Sequence, residues 1–241
     1  MPLLKSTTKL RNETANLRKA KTASESLPAY GVKVSNLTAK YDRGERITYP
    51  DFTIMPGQKV LLTGDSGTGK STLFKILLGK LQAETGTVTF LDQNGQALSE
   101  STWVGNLPQD PVVFPVSIKD NITMFNAKLD DKVQTITNKV QLSSDLAKMP
   151  AGVNTQVDLK VGNLSGGQRQ KIVLARSEIY DQPFVLMDEV TSAIDQAGTE
   201  KILDELLQTK QTILMIAHNF TPEMKKKFDQ EIKLTAHGNE A

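Results

Sequence analysis

Nine consecutive residues, Gly64-Asp65-Ser66-Gly67-Thr68-Gly69-Lys70-Ser71-Thr72, constrain what this chain can fold into more than any other stretch. They follow Lys59-Val60-Leu61-Leu62-Thr63, an apolar run of strand length, and precede Leu73, Phe74, Ile76, Leu77 and Leu81 at helical spacing. A strand, a glycine-rich turn and a helix in that order satisfy G-x-x-x-x-G-K-S/T in the context that its chemistry needs. Glycines let the loop adopt backbone angles closed to other residues. Its N–H groups can then face inward and, with the helix N-terminus behind them, form a nest for phosphate oxygens. Lys70 is placed to reach the β- and γ-phosphates, and the Ser71 hydroxyl to bind Mg²⁺.

A phosphate nest at a strand end predicts more strands of the same kind. Phe184–Asp188 and Thr212–Ala217 are apolar on both faces and flank a helix carrying Ile202, Leu203, Leu206 and Leu207, the pattern of a parallel sheet covered by helices. Asp188 closes the first of these strands at its carboxyl end, where α/β sheets bind ligands, and is the candidate metal carboxylate. Glu189 follows and is the candidate to orient or deprotonate an attacking water. Val32, Val34, Leu37, Ile47, Phe52 and Ile54 alternate with polar residues, and Thr87–Leu91 runs into the hairpin signal Asn94-Gly95, so a largely antiparallel region is expected beside the parallel core. From about 110 to 180 the periodicity is mainly helical, with Val133, Ile136 and Val140, then Ile172, Val173, Ala175 and Ile179. The fold class expected is α/β: a P-loop parallel-sheet core, an antiparallel β subdomain and an inserted helical subdomain.

Composition enters as a set of exclusions. With 29 Lys+Arg against 27 Asp+Glu the net charge is +2, so nucleic acid is not expected as the main ligand. No cysteine is present, which removes disulfides, thiolate catalysis and zinc–thiolate sites. No apolar run approaches the roughly 18 residues needed to cross a bilayer, and the Met1–Lys5 start lacks the apolar core of a secretory signal. Residues 1–29 carry Lys5, Lys9, Arg11, Arg18, Lys19 and Lys21 against Glu13 and Glu25 and read as a basic extension or linker, with 30–241 as the folded domain.

Leu164-Ser165-Gly166-Gly167-Gln168 narrows the reading further. Ser165 is a natural N-cap, and paired glycines at a helix start let backbone amides approach an anion closely. This pentapeptide, lying between the phosphate loop and the Asp188-Glu189 strand end, resembles the signature sequence of ATP-binding cassette (ABC) domains. The resemblance covers about residues 32–232. It implies that Gln109, in Leu107-Pro108-Gln109-Asp110, contacts Mg²⁺ or water, and that His218, directly after the Thr212–Ala217 strand, touches the γ-phosphate. It implies that Tyr41 stacks on adenine, although a packing tyrosine at a strand end has the same sequence signal, and that Asp195, in Ser192-Ala193-Ile194-Asp195, sits near a dimer seam. In the family the signature of one subunit completes the phosphate site of another. ATP and Mg²⁺, and a second nucleotide-binding domain in a homodimer or homologous heterodimer, are therefore implied.

Pro111-Val112-Val113-Phe114-Pro115-Val116-Ser117-Ile118-Lys119-Asp120-Asn121-Ile122 resembles the exporter branch, as does Gln168-Arg169-Gln170-Lys171. One departure stands out: Asp158-Leu159-Lys160-Val161 replaces the Val-Gly-Glu-Arg-Gly-like stretch of exporters and lacks its glutamate. The resemblance implies a transmembrane partner, fused or separate, and a place on the cytoplasmic face of the cell membrane. The basic segment 1–29 fits the end of a membrane domain or a natural N-terminus equally. Two other readings compete. A soluble ABC switch on nucleic acid or the ribosome normally needs two cassettes or a long coiled coil, for which this length leaves no room. A GTPase-like switch needs Asn-Lys-x-Asp, and Asn138-Lys139-Val140-Gln141 lacks the aspartate.

Overall fold

The structure is a computed structural model that describes residues 27–40, 46–99, 102–217 and 220–235. Tyr41 and His218, and most of the basic segment 1–29, lie outside the described residues. Five strands form a parallel sheet in the order β11 (Gln230–Leu234), β5 (Lys59–Gly64), β10 (Thr212–Ile216), β9 (Phe184–Asp188) and β8 (Gly105–Leu107). Its three central strands are apolar on both sides because both faces are covered. Leu61, Val185, Met187, Ile213 and Met215 join the core on one face, and Val60, Leu62, Phe184, Leu186, Leu214 and Ile216 the core on the other. The two-residue period of a strand divides the chain between the two cores.

The first face carries the helices. α2 (Ile118–Thr123), α3 (Val133–Lys139), α4 (Ser143–Leu146) and α5 (Gly166–Ile179) lie between β8 and β9 in sequence, with short 3-10 turns at Ala127–Lys132 and Gly152–Asn154. α6 (Gln196–Leu207) buries Ile202, Leu203 and Leu206 in the same core, and α7 (Pro222–Lys225) follows β10. The opposite face carries α1 (Lys70–Leu77) and an antiparallel sheet. In that sheet β2 (Gly31–Lys40) pairs with β3 (Arg46–Thr48), β4 (Phe52–Ile54) and β6 (Thr85–Leu91), with a register shift between Ser35 and Thr38.

Asn94-Gly95 makes the turn its sequence predicts, with Gly95 at φ 78° and the Asp92 carboxylate accepting from the Asn94 and Gln96 amides. Among the described residues the returning arm contributes the bridge Ala97–Leu91, whereas β6 finds its long partner in β2. In a separate two-stranded sheet β1 (Leu27–Pro28) pairs in parallel with β7 (Thr102–Trp103), and Ala29 is buried. Residues 27–29 therefore pack with the domain. Among the described residues no helix is long and apolar enough to cross a membrane.

One half-buried ionisable group, Glu178, lies far along α5 from its signature end. Burial pushes the Glu178 carboxyl up to about 7; Lys139 and Lys59 oppose the rise, and Asp181 and Glu205 add to it. A carboxyl raised above its unfolded value of roughly 4.3 stabilises the fold fully below that value and loses the contribution as pH climbs through 7. Unfolding free energy should therefore fall between about pH 4.3 and 7 by an increment that Glu178→Gln abolishes, read by urea melts across that range. In the core, Phe184 is fully buried, and Phe184→Ala should cost about 3–5 kcal/mol in the same melts.

Candidate active site

The carboxyl edge of the parallel sheet gathers the predicted residues. Register places Ile216 opposite both Leu62 and Asp188, so β10 and β9 end level with one another and β5 runs two residues further, to Gly64. From that edge β5 enters the loop 64–69, and α1 begins at Lys70 with Gly69 as its N-cap. Gly69 sits at φ 95°, where a Cβ would stand 2.7 Å from Ile47 Cδ1 and 2.9 Å from the Tyr49 hydroxyl. A side chain there would be strained by the positive φ and would have to push aside the Ile47 and Tyr49 side chains. Tyr49 is buried and donates to the Gly69 carbonyl at 3.1 Å, fixing the loop from the antiparallel side. Gly64, at φ 145°, is similarly enclosed, since a Cβ would lie 2.6 Å from the Leu234 carbonyl oxygen.

Lys70 is 7% exposed, and its ammonium donates to the Gly64 and Asp65 carbonyls at 2.7 and 2.9 Å. Thr68 closes the turn, donating from its hydroxyl to Asp65 O at 2.9 Å. Beyond the loop lies a cavity of about 170 Å³ lined by Ser66, Gly67, Gly69, Lys70, Ser71 and Thr72 on one side and by Asp188, Glu189 and Ile216 on the other. Cation, hydroxyls, helix-start amides and two carboxylates thus border one space, as binding a metal-complexed polyphosphate requires. Among the described residues no group of three or more His, Cys, Asp or Glu is placed to hold a metal by itself. The Ser71 hydroxyl and Asp188 carboxylate are hard oxygen donors on that cavity. They fit Mg²⁺, which takes one or two protein oxygens and fills its shell from phosphate and water.

Glu189 adopts φ 50°, a left-handed conformation uncommon for a residue with a side chain. Its amide donates to Ile216 O at 3.0 Å, which ties it to the neighbouring strand end. Gln109 donates from Nε2 to the Glu189 carboxylate at 2.9 Å. Gln109 therefore lies against the candidate base, itself a lining residue of the cavity shared by Ser71 and Asp188.

The signature residues occupy a different place. Ser165 caps α5 in a capping box, accepting from Gln168 N at 3.2 Å while its own amide donates to Gln168 Oε1 at 2.9 Å. A Cβ on Gly167 would meet the Ala193 carbonyl oxygen at 2.7 Å, and one on Gly166 the Ala193 Cβ at 3.3 Å. Within one chain, then, the paired glycines admit residue 193. Ser165, Gly166, Gly167 and Gln168 do not line the phosphate cavity of their own chain. Asp195 is the N-cap of α6, accepting from Gly198 N at 2.9 Å; that backbone hydrogen bond leads the causes holding its carboxyl below the usual range. Sequence reading missed Tyr49, and also Asp145, which accepts from both Gln168 (3.3 Å) and Lys171 (2.8 Å) and ties the start of α5 to α4. Neither belongs to a local motif, and only the folded chain brings them to the site.

A family model described as ABC transporter matches residues 47–192. A transport/processing ATP-binding protein for mesentericin Y105 from Leuconostoc mesenteroides is 36% identical over 202 residues, covering 80% of this chain and 28% of that protein. The human mitochondrial iron–sulfur clusters transporter ABCB7 is 31% identical over 197 residues, 79% of this chain and 26% of that one. The chain thus spans little more than a quarter of these relatives. In three dimensions it superposes on a bacterial Atm1-family ABC exporter with ATP bound, at a TM-score of 0.74 and 26% identity, covering 86% of this chain and 37% of the exporter chain.

The two enclosed and open glycines of the loop should separate experimentally. Gly67 is also at positive φ, but a Cβ there meets nothing within 4 Å. Gly69→Ala should therefore lose about 1–3 kcal/mol more stability than Gly67→Ala in paired urea melts; equal losses would show that Ile47 and Tyr49 yield freely.

Proposed function

Because the chain belongs to the ABC transporter family, as its ATPase domain, we propose that it hydrolyses Mg-ATP between two cassettes and so powers export through a membrane domain. The observation that carries this reading is the single cavity bordered by Lys70 and Ser71 from one strand end and by Asp188 and Glu189 from another. Lys70 and the α1 amides hold the phosphate chain and neutralise its charge. Ser71 and Asp188 would hold Mg²⁺, which would supply charge neutralisation to the bound phosphates. Glu189 orients the attacking water and accepts its proton, with Gln109 fixing the carboxylate by the 2.9 Å hydrogen bond. His218 and Tyr41 are assigned to the γ-phosphate and to adenine on their sequence positions.

A second cassette follows from where the signature lies. Ser165 to Gln168 stand away from their own chain's phosphate cavity yet present a helix N-terminus, so a partner's nucleotide is their natural anion. Asp195, at the start of α6, belongs to that seam. The exporter assignment rests on the relatives named above, and it places the cassette against the cytoplasmic side of a membrane, with the membrane domain in the same polypeptide or a separate one. The basic segment before residue 27 is then the connection toward that domain.

Glu189→Gln tests the chemistry and the assembly together. Turnover should fall by about 10²-fold or more, while Mg-ATP converts the variant from monomer to dimer by mass in solution. Turnover unchanged by the substitution would remove Glu189 from the reaction, and an ATP-loaded variant that stays monomeric at high concentration would remove the sandwich.

A further inference from the structure

Between the signature helix and the candidate base lies one buried amide, within the Gln168–Lys171 stretch, to which no role has been given. Gln170 is 5% exposed and sits one turn into α5 beyond Ser165. Its Nε2 donates to Ser192 Oγ at 3.0 Å and reaches the Glu189 carbonyl oxygen at 3.4 Å, and its Oε1 accepts from Ala193 N at 3.0 Å. One side chain thus satisfies three groups on the segment that begins with Glu189. That segment is folded on itself, Ser192 N donating to Glu189 O and Ile194 N to Thr191 O, each at 3.0 Å. Residue 193 also rests on the two signature glycines, so the start of α5 and the turn 189–194 touch at both Gly167 and Gln170.

Glu189 holds a left-handed backbone at φ 50°. Such a conformation persists only where its surroundings over-determine it. The Ile216 carbonyl fixes the residue from the sheet side, and the Gln170 amide is the group that reaches its carbonyl from α5. We infer that Gln170 is a positioning residue for hydrolysis: it couples the signature helix to the backbone of Glu189, so that whatever engages the signature also sets the aim of that carboxylate. The inference rests on Glu189 acting on water, as proposed above. Its consequence is that the phosphate-side base and the signature of one chain are linked through the Gln170 side chain.

Two variants of the full chain test it. Gln170→Glu keeps the size of the side chain and an acceptor for Ala193 N but loses the donor toward Glu189 O. Gln170→Met keeps the packing and loses both functions. Each should lower kcat for Mg-ATP about tenfold or more with KM changed less than twofold, since displacement of a reacting group by an ångström can cost about 10²-fold. In the Glu189→Gln background, single-turnover rates should show no further loss, because a residue acting through Glu189 has nothing left to position. A loss of the same size in both backgrounds, or a rise in KM with kcat intact, would overturn the inference. Amide exchange at Ser192 and Ala193 reads the linkage without turnover: Gln170→Met should accelerate it, and unchanged protection overturns the coupling. Wild type that binds ATP without hydrolysing it would instead refute the hydrolysis reading, and the exchange result would still decide whether α5 holds the turn.

Discussion

Everything at the candidate site depends on the hydrogen-bond register of three parallel strands. Leu62, Ile216 and Asp188 stand side by side across β5, β10 and β9, although more than a hundred residues separate the first from the others. A parallel sheet brings its carboxyl ends to a single edge, and each chain leaving that edge does so with its own chemistry: the phosphate loop after β5 and the two acids at the end of β9. A slip of one residue along β9 would also exchange its buried faces, sending Val185 and Met187 to the core that now receives Phe184 and Leu186. The two cores thus lock the register, and the register places Asp188 beside the phosphate loop.

Around that edge, glycines and polar side chains hold the backbone close. Gly69 suits glycine because its φ of 95° disfavours a side chain and the Ile47 and Tyr49 side chains crowd the place it would take, and Tyr49 returns a hydrogen bond to the same residue. On the other side Gly167 admits Ala193, and Gln170 bridges to the turn that follows Glu189. The signature helix is pinned at its start from both directions, by Asp145 through Gln168 and Lys171 and by Gln170 through the 189–194 turn. Its N-terminal amides consequently have a fixed direction even without nucleotide. A preset direction of this kind lets a helix end serve as an anion site at low entropic cost.

The legible part of the site is the part written within a few residues. The phosphate loop was readable because a strand, glycines, Lys70 and a helical run follow one another directly, and Ser165 was readable as a cap because a cap acts on amides two and three positions ahead. The two-faced strands were readable from continuous apolar runs. The turn at Asn94-Gly95 was equally plain, yet the pairing of β6 with β2 in place of a full returning arm was settled by the apolar face of β2 far upstream.

By itself the sequence determined the elements, the chemistry available at the sheet edge and, through the order of phosphate loop, signature and Asp-Glu strand end, the family. Tertiary structure decided which of those groups touch. Gln109 lies 80 residues from Glu189 along the chain and hydrogen-bonds to it in space. Gly167 is shaped by Ala193, Gly69 by Ile47 and Tyr49, and Gln170 earns its place only through a turn that begins 19 residues further along the chain. The physical reason is that a motif records short-range backbone geometry, whereas contacts across the core are fixed by strand register and side-chain packing, which no local pattern contains.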